Sequence, residues 1–419
     1  MSNFLFTRAQ RFAAIALLLI AVTPTFAQPL DDPDLERAAR AIHEDILTLD
    51  SHIDIPVDYA TAAVDPAGFT TLKSDLPKMR AGGLDAAFLI VYTPQGALTA
   101  DSLKEARKIA ETRLAAINRL AAAYPDQVAL ATTPKEARDI VKSGRRAILI
   151  GMENAFPLQD KPNAVDDWAS RGVRYMGITH FGHNQFGDSS NPKPELGDSD
   201  VRWSGLSPRG RDLIFELNKA GIMIDVSHAA KATMMQAVAQ SVAPIIASHS
   251  GVSAVAQSPR NLDDEQLRAL RDNGGVVQIV AYDLYLKALT PEQIAFRDRV
   301  RKELRLVTPK QRAAASKEKT ARYRERLKGL WAIAPRATVA DLVDHIDHAV
   351  RIAGIDHVGV ASDFDGGGGV VGWEDASETL NVTRELVRRG YSAREIEKIW
   401  GGNLLRVFDE VLETADKLD

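Results

Sequence analysis

His52 and Asp54 stand two residues apart in "LTLDSHIDIP", directly after an apolar run that begins at Leu47. In an extended strand, residues i and i+2 share a face. An imidazole and a carboxylate would therefore leave the end of this strand side by side. Such a pair can hold a divalent cation through nitrogen and oxygen. It can equally be a core histidine oriented by its aspartate, or part of a polar loop, and the HxD pattern is too short to choose. Residues of the same chemical kind close other apolar runs. Glu153 ends "RAILIGME", His180 ends "VRYMGITH", His228 ends "GIMIDVSH" and His249 lies in "APIIASHS". Asp363 and Asp365 lie in "DHVGVASDFDG", ahead of further glycines. Four of the nine histidines occupy such ends, which one isolated core histidine would not explain.

The elements that carry these residues read as a repeating pattern. Eight strand-length apolar runs occur in order: "ILTLDSHIDI", "DAAFLIVYT", "RAILIGMEN", "VRYMGITH", "GIMIDVSH", "APIIASHS", "GGVVQIVAY" and "DHVGVASDFDG". They are continuous rather than alternating, as strands covered on both faces are. Helical spacing fills the intervals. "DSLKEARKIAETRLAAINRLAAAY" opens on Asp101, while "SPRGRDLIFELNKAG" and "TVADLVDHIDHAVRIAG" stop at Gly221 and Gly354, good helix terminators. Eight strands alternating with helices predict an α/β fold of the (β/α)8 TIM-barrel type. An open doubly wound sheet is the second option, but no glycine-rich phosphate loop follows the first strand. In a barrel, all C-terminal strand ends meet at one mouth. Asp54, Glu153 and Asp363 would repel one another there unless cations are present. The chain has no cysteine, so any metal must sit on histidines and carboxylates. That donor set suits Zn²⁺, with Mn²⁺, Fe²⁺ or Co²⁺ open. Ligands from opposite walls suggest two ions rather than one.

Composition sets the outer limits. With 45% hydrophobic and 26% charged residues and a net charge of −4, the chain reads as an ordinary soluble domain with no general affinity for nucleic acid. The N-terminus departs from this: Arg8 and Arg11 precede an apolar run from Phe12 to Val22, and a small-residue exit ends at Ala27. This is the three-part pattern of a secretory signal peptide, so residues 1–27 are expected to be removed. A single domain over 28–419, exported to the periplasm or secreted, is then expected. The apolar run is about half of what a spanning helix requires, so no stable membrane anchor is expected. Between the seventh and eighth strands, an insertion at about 286–336 contains a basic stretch. Residues 297–328 carry 13 Lys or Arg against 4 Asp or Glu. It is expected to be a solvated helical arm, with contact to an anionic surface as the other option. The final "YSAREIEKIWGGNLLRVFDEVLETADKLD" reads as two helices closing the barrel.

The segments "DSHIDIP", "IGMEN", "GITHFGHN", "DVSHA", "SHSGVSAVAQSPRN" and "DFDG", in this order, resemble the renal-type membrane dipeptidases and their bacterial relatives, zinc hydrolases of the amidohydrolase type. The resemblance runs from about Asp45 to Glu410 and includes "GLSPRGRDLIFELNKAG" and "GGNLLRVF". It implies hydrolysis of dipeptides by a metal-bridging hydroxide, tolerance of a D-residue at the second position, and a homodimer. It implies two Zn²⁺ per chain, one on His52 and Asp54 and the other on His228 and His249, with Glu153 bridging both. His180 matches a substrate-binding histidine near the scissile carbonyl, and Arg260 matches the arginine that holds the substrate's terminal carboxylate. A surface salt bridge is the plainer role for Arg260. Spacing alone does not choose between Asp363 and Asp365; the resemblance selects Asp363 as the acid/base and leaves Asp365 in support. Tyr282 and Tyr285 are further pocket candidates. The same centre could instead open lactones or N-acyl amino acids, and a non-catalytic scaffold would be marked by missing ligands, of which none is missing here.

Overall fold

The computed structural model describes residues 33–158 and 163–418; the expected signal peptide lies outside these. Eight parallel strands follow one another around the molecule: β1 (Leu49–Asp54), β2 (Ala86–Tyr92), β3 (Arg146–Glu153), β4 (Val173–Gly177), β5 (Met223–Asp225), β6 (Ile246–Val252), β7 (Val276–Val280) and β8 (Val358–Ala361). Each is hydrogen-bonded to the next. The ring closes where β1 meets the residues just past β8. Asp54 N donates to Phe364 O at 2.9 Å, Asp363 N donates to His52 O at 3.1 Å, and Ser362 N donates to the Asp50 carboxylate at 3.0 Å. This is the (β/α)8 barrel that the alternation of elements predicts. Two short strands, Val128–Leu130 and Asn261–Leu262, attach to β3 and β6 without joining the ring.

Two apolar layers hold the barrel. Ala87, Leu89 and Val91 of β2 and Ile148, Ile150 and Met152 of β3 pack outward with helix residues such as Leu114 and Ile117. Ala86, Phe88 and Ile90, with Ala147 and Leu149, form part of a separate inner cluster. That cluster also contains Leu49, Met223, Ile246 and Val276, the first residues of four other strands, and Leu404, Leu405, Val407, Phe408 and Val411 of the last helix, Asn403–Leu418. The last helix therefore lies across the N-terminal end of the barrel. Its Asp409 pairs with Arg138 at 3.7 Å, while Arg406 donates to Gly274 O and Asp356 O on another side. The final segment does form two helices, Ala393–Glu397 and Asn403–Leu418, joined by a single wide turn over Lys398–Gly402.

Local signals set most other boundaries. The long helix Ala100–Ala123 begins one residue before Asp101 because Thr99 is its cap, accepting from Ser102 N. Helix Pro208–Lys219 ends just before Gly221 at φ 65°, and Val339–Ala353 ends before Gly354 at φ 91°. The insertion folds as helices Pro291–Glu303, Pro309–Ala313 and Lys317–Leu327. It is not simply an arm in solvent: Arg312 Nε stands 3.7 Å from the Glu195 carboxylate, beyond β4. Among the described residues, no helix is long and apolar enough to cross a membrane.

Phe408 is fully buried in the inner cluster. Phe408→Ala should cost about 3–5 kcal/mol in chemical denaturation, the usual loss for a core aromatic. A cost below about 1 kcal/mol would show that the last helix does not close the barrel.

Candidate metal centre

Two irregularities aim the histidines. In β1, Leu49 belongs to the inner cluster and Ile53 to the outer one, although an even spacing should place both on one face. The pairing register with β2 shifts between Asp50 and Ile53. This reverses the phase of the strand and turns His52 and Asp54 inward. In β6, Ile246 faces the inner cluster and Ala247 the outer one, and a second shift between Ala247 and Ser250 brings His249 in. Strand β3 pairs with β2 without a shift, so Ala147, Leu149, Gly151 and Glu153 rise along one face. His228 and Asp363 follow β5 and β8 in left-handed backbone, at φ 68° and 55°. Non-glycine residues in that region are uncommon and concentrate at functional sites.

The structure brings the predicted ligands together around Glu153. One carboxylate oxygen, Oε2, lies 3.8 Å from His52 Nε2. The other, Oε1, lies 2.9 Å from His228 Nε2, 3.4 Å from His249 Nε2 and 3.7 Å from His180 Nε2. His52 Nε2 is also 3.8 Å from Asp54 and 3.9 Å from Asp363. Three overlapping sets place their donor atoms within 4.8 Å of one another: His52, Glu153 and His249; Glu153, His180 and His228; His52, Asp54 and Asp363. These proximities gather the residues without dividing them into the two ligand sets that the resemblance implies.

Hydrogen bonds behind the histidines fix which nitrogen is free. Tyr175 OH donates to Ser51 O at 3.1 Å, so its oxygen accepts from His52 Nδ1 at 2.9 Å. His52 Nε2 is left as a lone pair, buried and without a hydrogen-bond partner. Ser248 Oγ likewise donates to Asp225 at 2.7 Å and accepts from His249 Nδ1 at 2.9 Å, leaving the lone pair on His249 Nε2. A second partner that sets tautomer and ring orientation is the usual companion of a metal-binding histidine. The electrostatics agree. Burial, with the Asp54 charge next, pushes the Glu153 and Asp363 carboxyls well above their usual range. Burial raises Asp54 to about 7 against the opposing pull of Arg113. Burial drives His52 down to about 3, with Arg260 adding to it, and His180, His228 and His249 well below their ordinary value. The protein alone would empty this cluster of charge, whereas divalent cations would keep the acids ionised. These residues fit a metal site.

Asp363 and Asp365 differ in their surroundings. Asp365 accepts backbone hydrogen bonds from Lys73 at 3.0 Å and Ser74 at 3.3 Å, so it ties a loop. Among the described residues, none donates a hydrogen bond to the Asp363 carboxylate. Gly366 sits against it: a Cβ there would lie 2.2 Å from the Asp54 carboxylate and 2.3 Å from that of Asp363. Arg260 is no surface salt bridge. It is 3% exposed, donates to His249 O at 2.9 Å, stacks over Tyr285 at 5.3 Å and leaves its Nε unpartnered. It does not itself line the cavity of about 720 Å³ above the cluster. Tyr282 and Tyr285 do, as do Tyr92, Arg113, Phe181, Lys193 and Arg324, which the sequence reading did not single out. Tyr92 ends β2 and could have been found by its position; Arg113 lies inside a long helix and carries no local signal. The remaining histidines serve structure, as when His43 bonds Thr383 and Gly82 O, and His345 bonds Leu286 O.

Tyr175→Phe removes the group that orients His52. Metal affinity should fall by roughly 10- to 100-fold, read as metal retained under chelator competition; unchanged retention would show that the hydroxyl does not set the ligand. Gly366→Ala should leave the fold intact by circular dichroism while displacing both carboxylates and lowering metal content.

The sequence model for the membrane dipeptidase family (peptidase family M19) matches residues 36–419. Dipeptidase verJ of Clonostachys rogersoniana is 28% identical over 403 residues, covering 92% of this chain and 89% of its own. Dipeptidase 3 of Rattus norvegicus is 27% identical over 393 residues, covering 92% of this chain and 69% of its own. The crystal structure of the probable dipeptidase PvdM from Pseudomonas aeruginosa matches with a TM-score of 0.85 at 36% identity, over 91% of this chain and 99% of that one. A metallo peptidase from Rhodobacter sphaeroides, liganded with a phosphinate mimic of the dipeptide L-Ala-D-Ala, shares the fold at a TM-score of 0.69 and 22% identity, over 87% of this chain and 99% of that one. The chain belongs to the membrane dipeptidase family of metallopeptidases.

Proposed function

We propose that this metallopeptidase is a two-zinc dipeptidase that releases free amino acids and accepts a D-residue at the C-terminal position. The observation that carries the reading is that both oxygens of the buried Glu153 carboxylate face histidines, Oε2 toward His52 and Oε1 toward His228 and His249. His52 and Asp54 would hold one ion, His228 and His249 the other, with Glu153 between them. Zinc at these residues supplies Lewis acidity and a water whose pKa falls to about 7. Asp363, whose carboxylate accepts no hydrogen bond among the described residues, takes a proton from the attacking water and delivers it to the leaving amine. His180 offers a ring N–H to the carbonyl oxygen as charge builds there. Arg260 keeps a buried Nε–H without a hydrogen-bond partner and is suited to a carboxylate. The L-Ala-D-Ala mimic on the Rhodobacter sphaeroides protein motivates the D-residue.

Metal-loaded protein should cleave members of a stereochemically complete dipeptide panel, lose activity on chelation and contain two zinc ions per chain. Amidation of the substrate's C-terminus should remove most of the rate. Equal rates on free and amidated dipeptides would favour hydrolysis of lactones or N-acyl amino acids by the same centre. Asp363→Asn keeps the side-chain shape and should lower kcat by about 10²–10⁴-fold with zinc retained. Loss of zinc in step with activity would make Asp363 a ligand instead.

A further inference from the structure

The insertion reaches over the mouth of the barrel. It leaves the ring after β7 and returns at β8, yet its short helix Pro309–Ala313 lies against the Pro194–Leu196 turn that follows β4. In the order of eight strands, β4 and β8 stand on opposite sides. The arm therefore spans the opening, with Arg312 and Glu195 joining its far end to the β4 side. Arg324, on helix Lys317–Leu327, lines the same cavity as the metal-ligand cluster, and so does Lys193 beside that turn.

What sets these two cations apart is that they line the cavity without a partner for their charged groups among the described residues. Within the arm, Arg301 bonds Tyr323, Arg326 pairs with Glu303 and Lys328 pairs with Glu325. Neither the Arg324 guanidinium nor the Lys193 ammonium has a hydrogen bond or ion pair among the described residues. The acids beside Lys193 are already engaged: Glu195 faces Arg312, and Asp198 accepts the backbone N–H groups of His183 at 2.9 Å and Lys193 at 2.8 Å. The carboxylates of this cavity, Asp54, Glu153, Asp363 and Asp365, belong to its floor and to a loop tie, and none is ion-paired with either cation, an arrangement that favours an anion arriving with the substrate. With Arg260 taken as the partner of the terminal carboxylate, as proposed above, the anion that suits this rim is a side chain.

We propose that Arg324 and Lys193 form a cationic rim that binds a side-chain carboxylate, so that the enzyme selects dipeptides containing aspartate or glutamate. The inference rests on the dipeptidase reading and adds a substrate class to it. The test compares kcat/KM of the metal-loaded enzyme on Ala-Glu with Ala-Gln and on Glu-Ala with Gln-Ala, pairs that differ only in charge. One acidic member should be preferred by on the order of 10-fold at low salt, and the preference should shrink as salt screens the rim. The double variant Arg324→Gln, Lys193→Gln should lose the preference, and Arg324→Glu should shift it toward lysine-containing dipeptides. Equal rates within both pairs would overturn the rim and leave the dipeptidase reading standing. A uniform loss on every substrate in the variants would also overturn it, because the cations would then serve the terminal carboxylate or the fold. Cleavage of no dipeptide would sink the underlying reading instead. The rim is then read by thermal shift with glutarate on the metal-loaded protein: greater stabilisation of the wild type than of Arg324→Glu supports it, and equal stabilisation overturns it.

Discussion

Crowding of ionisable groups inside a closed barrel is the constraint on which the rest of this structure depends. Asp54, Glu153 and Asp363 share one small volume with four imidazoles, all of them buried or nearly so. Such a cluster would cost stability if it carried charge without partners. The protein supplies orientation rather than neutralisation: Tyr175 and Ser248 fix ring tautomers, and burial suppresses charge on acids and bases alike. The apolar barrel below provides a rigid floor against which those orientations hold, and the mouth above is where the remaining positive charge is placed.

The ring positions the cluster through departures from regularity. A regular β1 would have sent His52 into the outer layer with Ile53 inside. The shifts in β1 and β6 spend local pairing to turn a candidate ligand inward, and left-handed residues at 228 and 363 bring their side chains to the same cluster just past β5 and β8. Glycine completes the arrangement by its absence of bulk. The place a Cβ would occupy at Gly151 lies 2.3 Å from the Tyr175 ring, so the tyrosine can stand beneath His52 only because residue 151 has no side chain.

Much of this was legible in the sequence because apolar runs and ligand types are local signals. Eight runs marked eight strands, and the residues at their ends marked the mouth where all seven cluster residues meet. What the sequence hid depends on contacts between distant segments. The shifts in β1 and β6 arise from pairing with neighbouring strands, and nothing in "LDSHID" distinguishes a shifted strand from a regular one. Tyr175 read as one more apolar position. Arg113, Lys193 and Arg324 come from a long helix, a loop and an insertion that meet only when the barrel closes. The insertion read as a solvated arm because its charge pattern is that of an exposed helix, and only its reach to Glu195 shows otherwise. Arg260 was found in sequence, but its burial behind the cavity wall was not.

The seam of the barrel joins its first and last strands at residues of the candidate metal cluster. His52 O and Asp54 N bond to residues 363 and 364, and Asp50 holds Ser362 across 312 positions of sequence. The cluster is therefore incomplete in any molecule in which β8 has yet to dock. A chain with its C-terminal segment detached carries His52 and Asp54 without Asp363 beside them. Completion of the candidate centre is thus tied to closure of the ring, and an ion bound across that joint would act as its rivet.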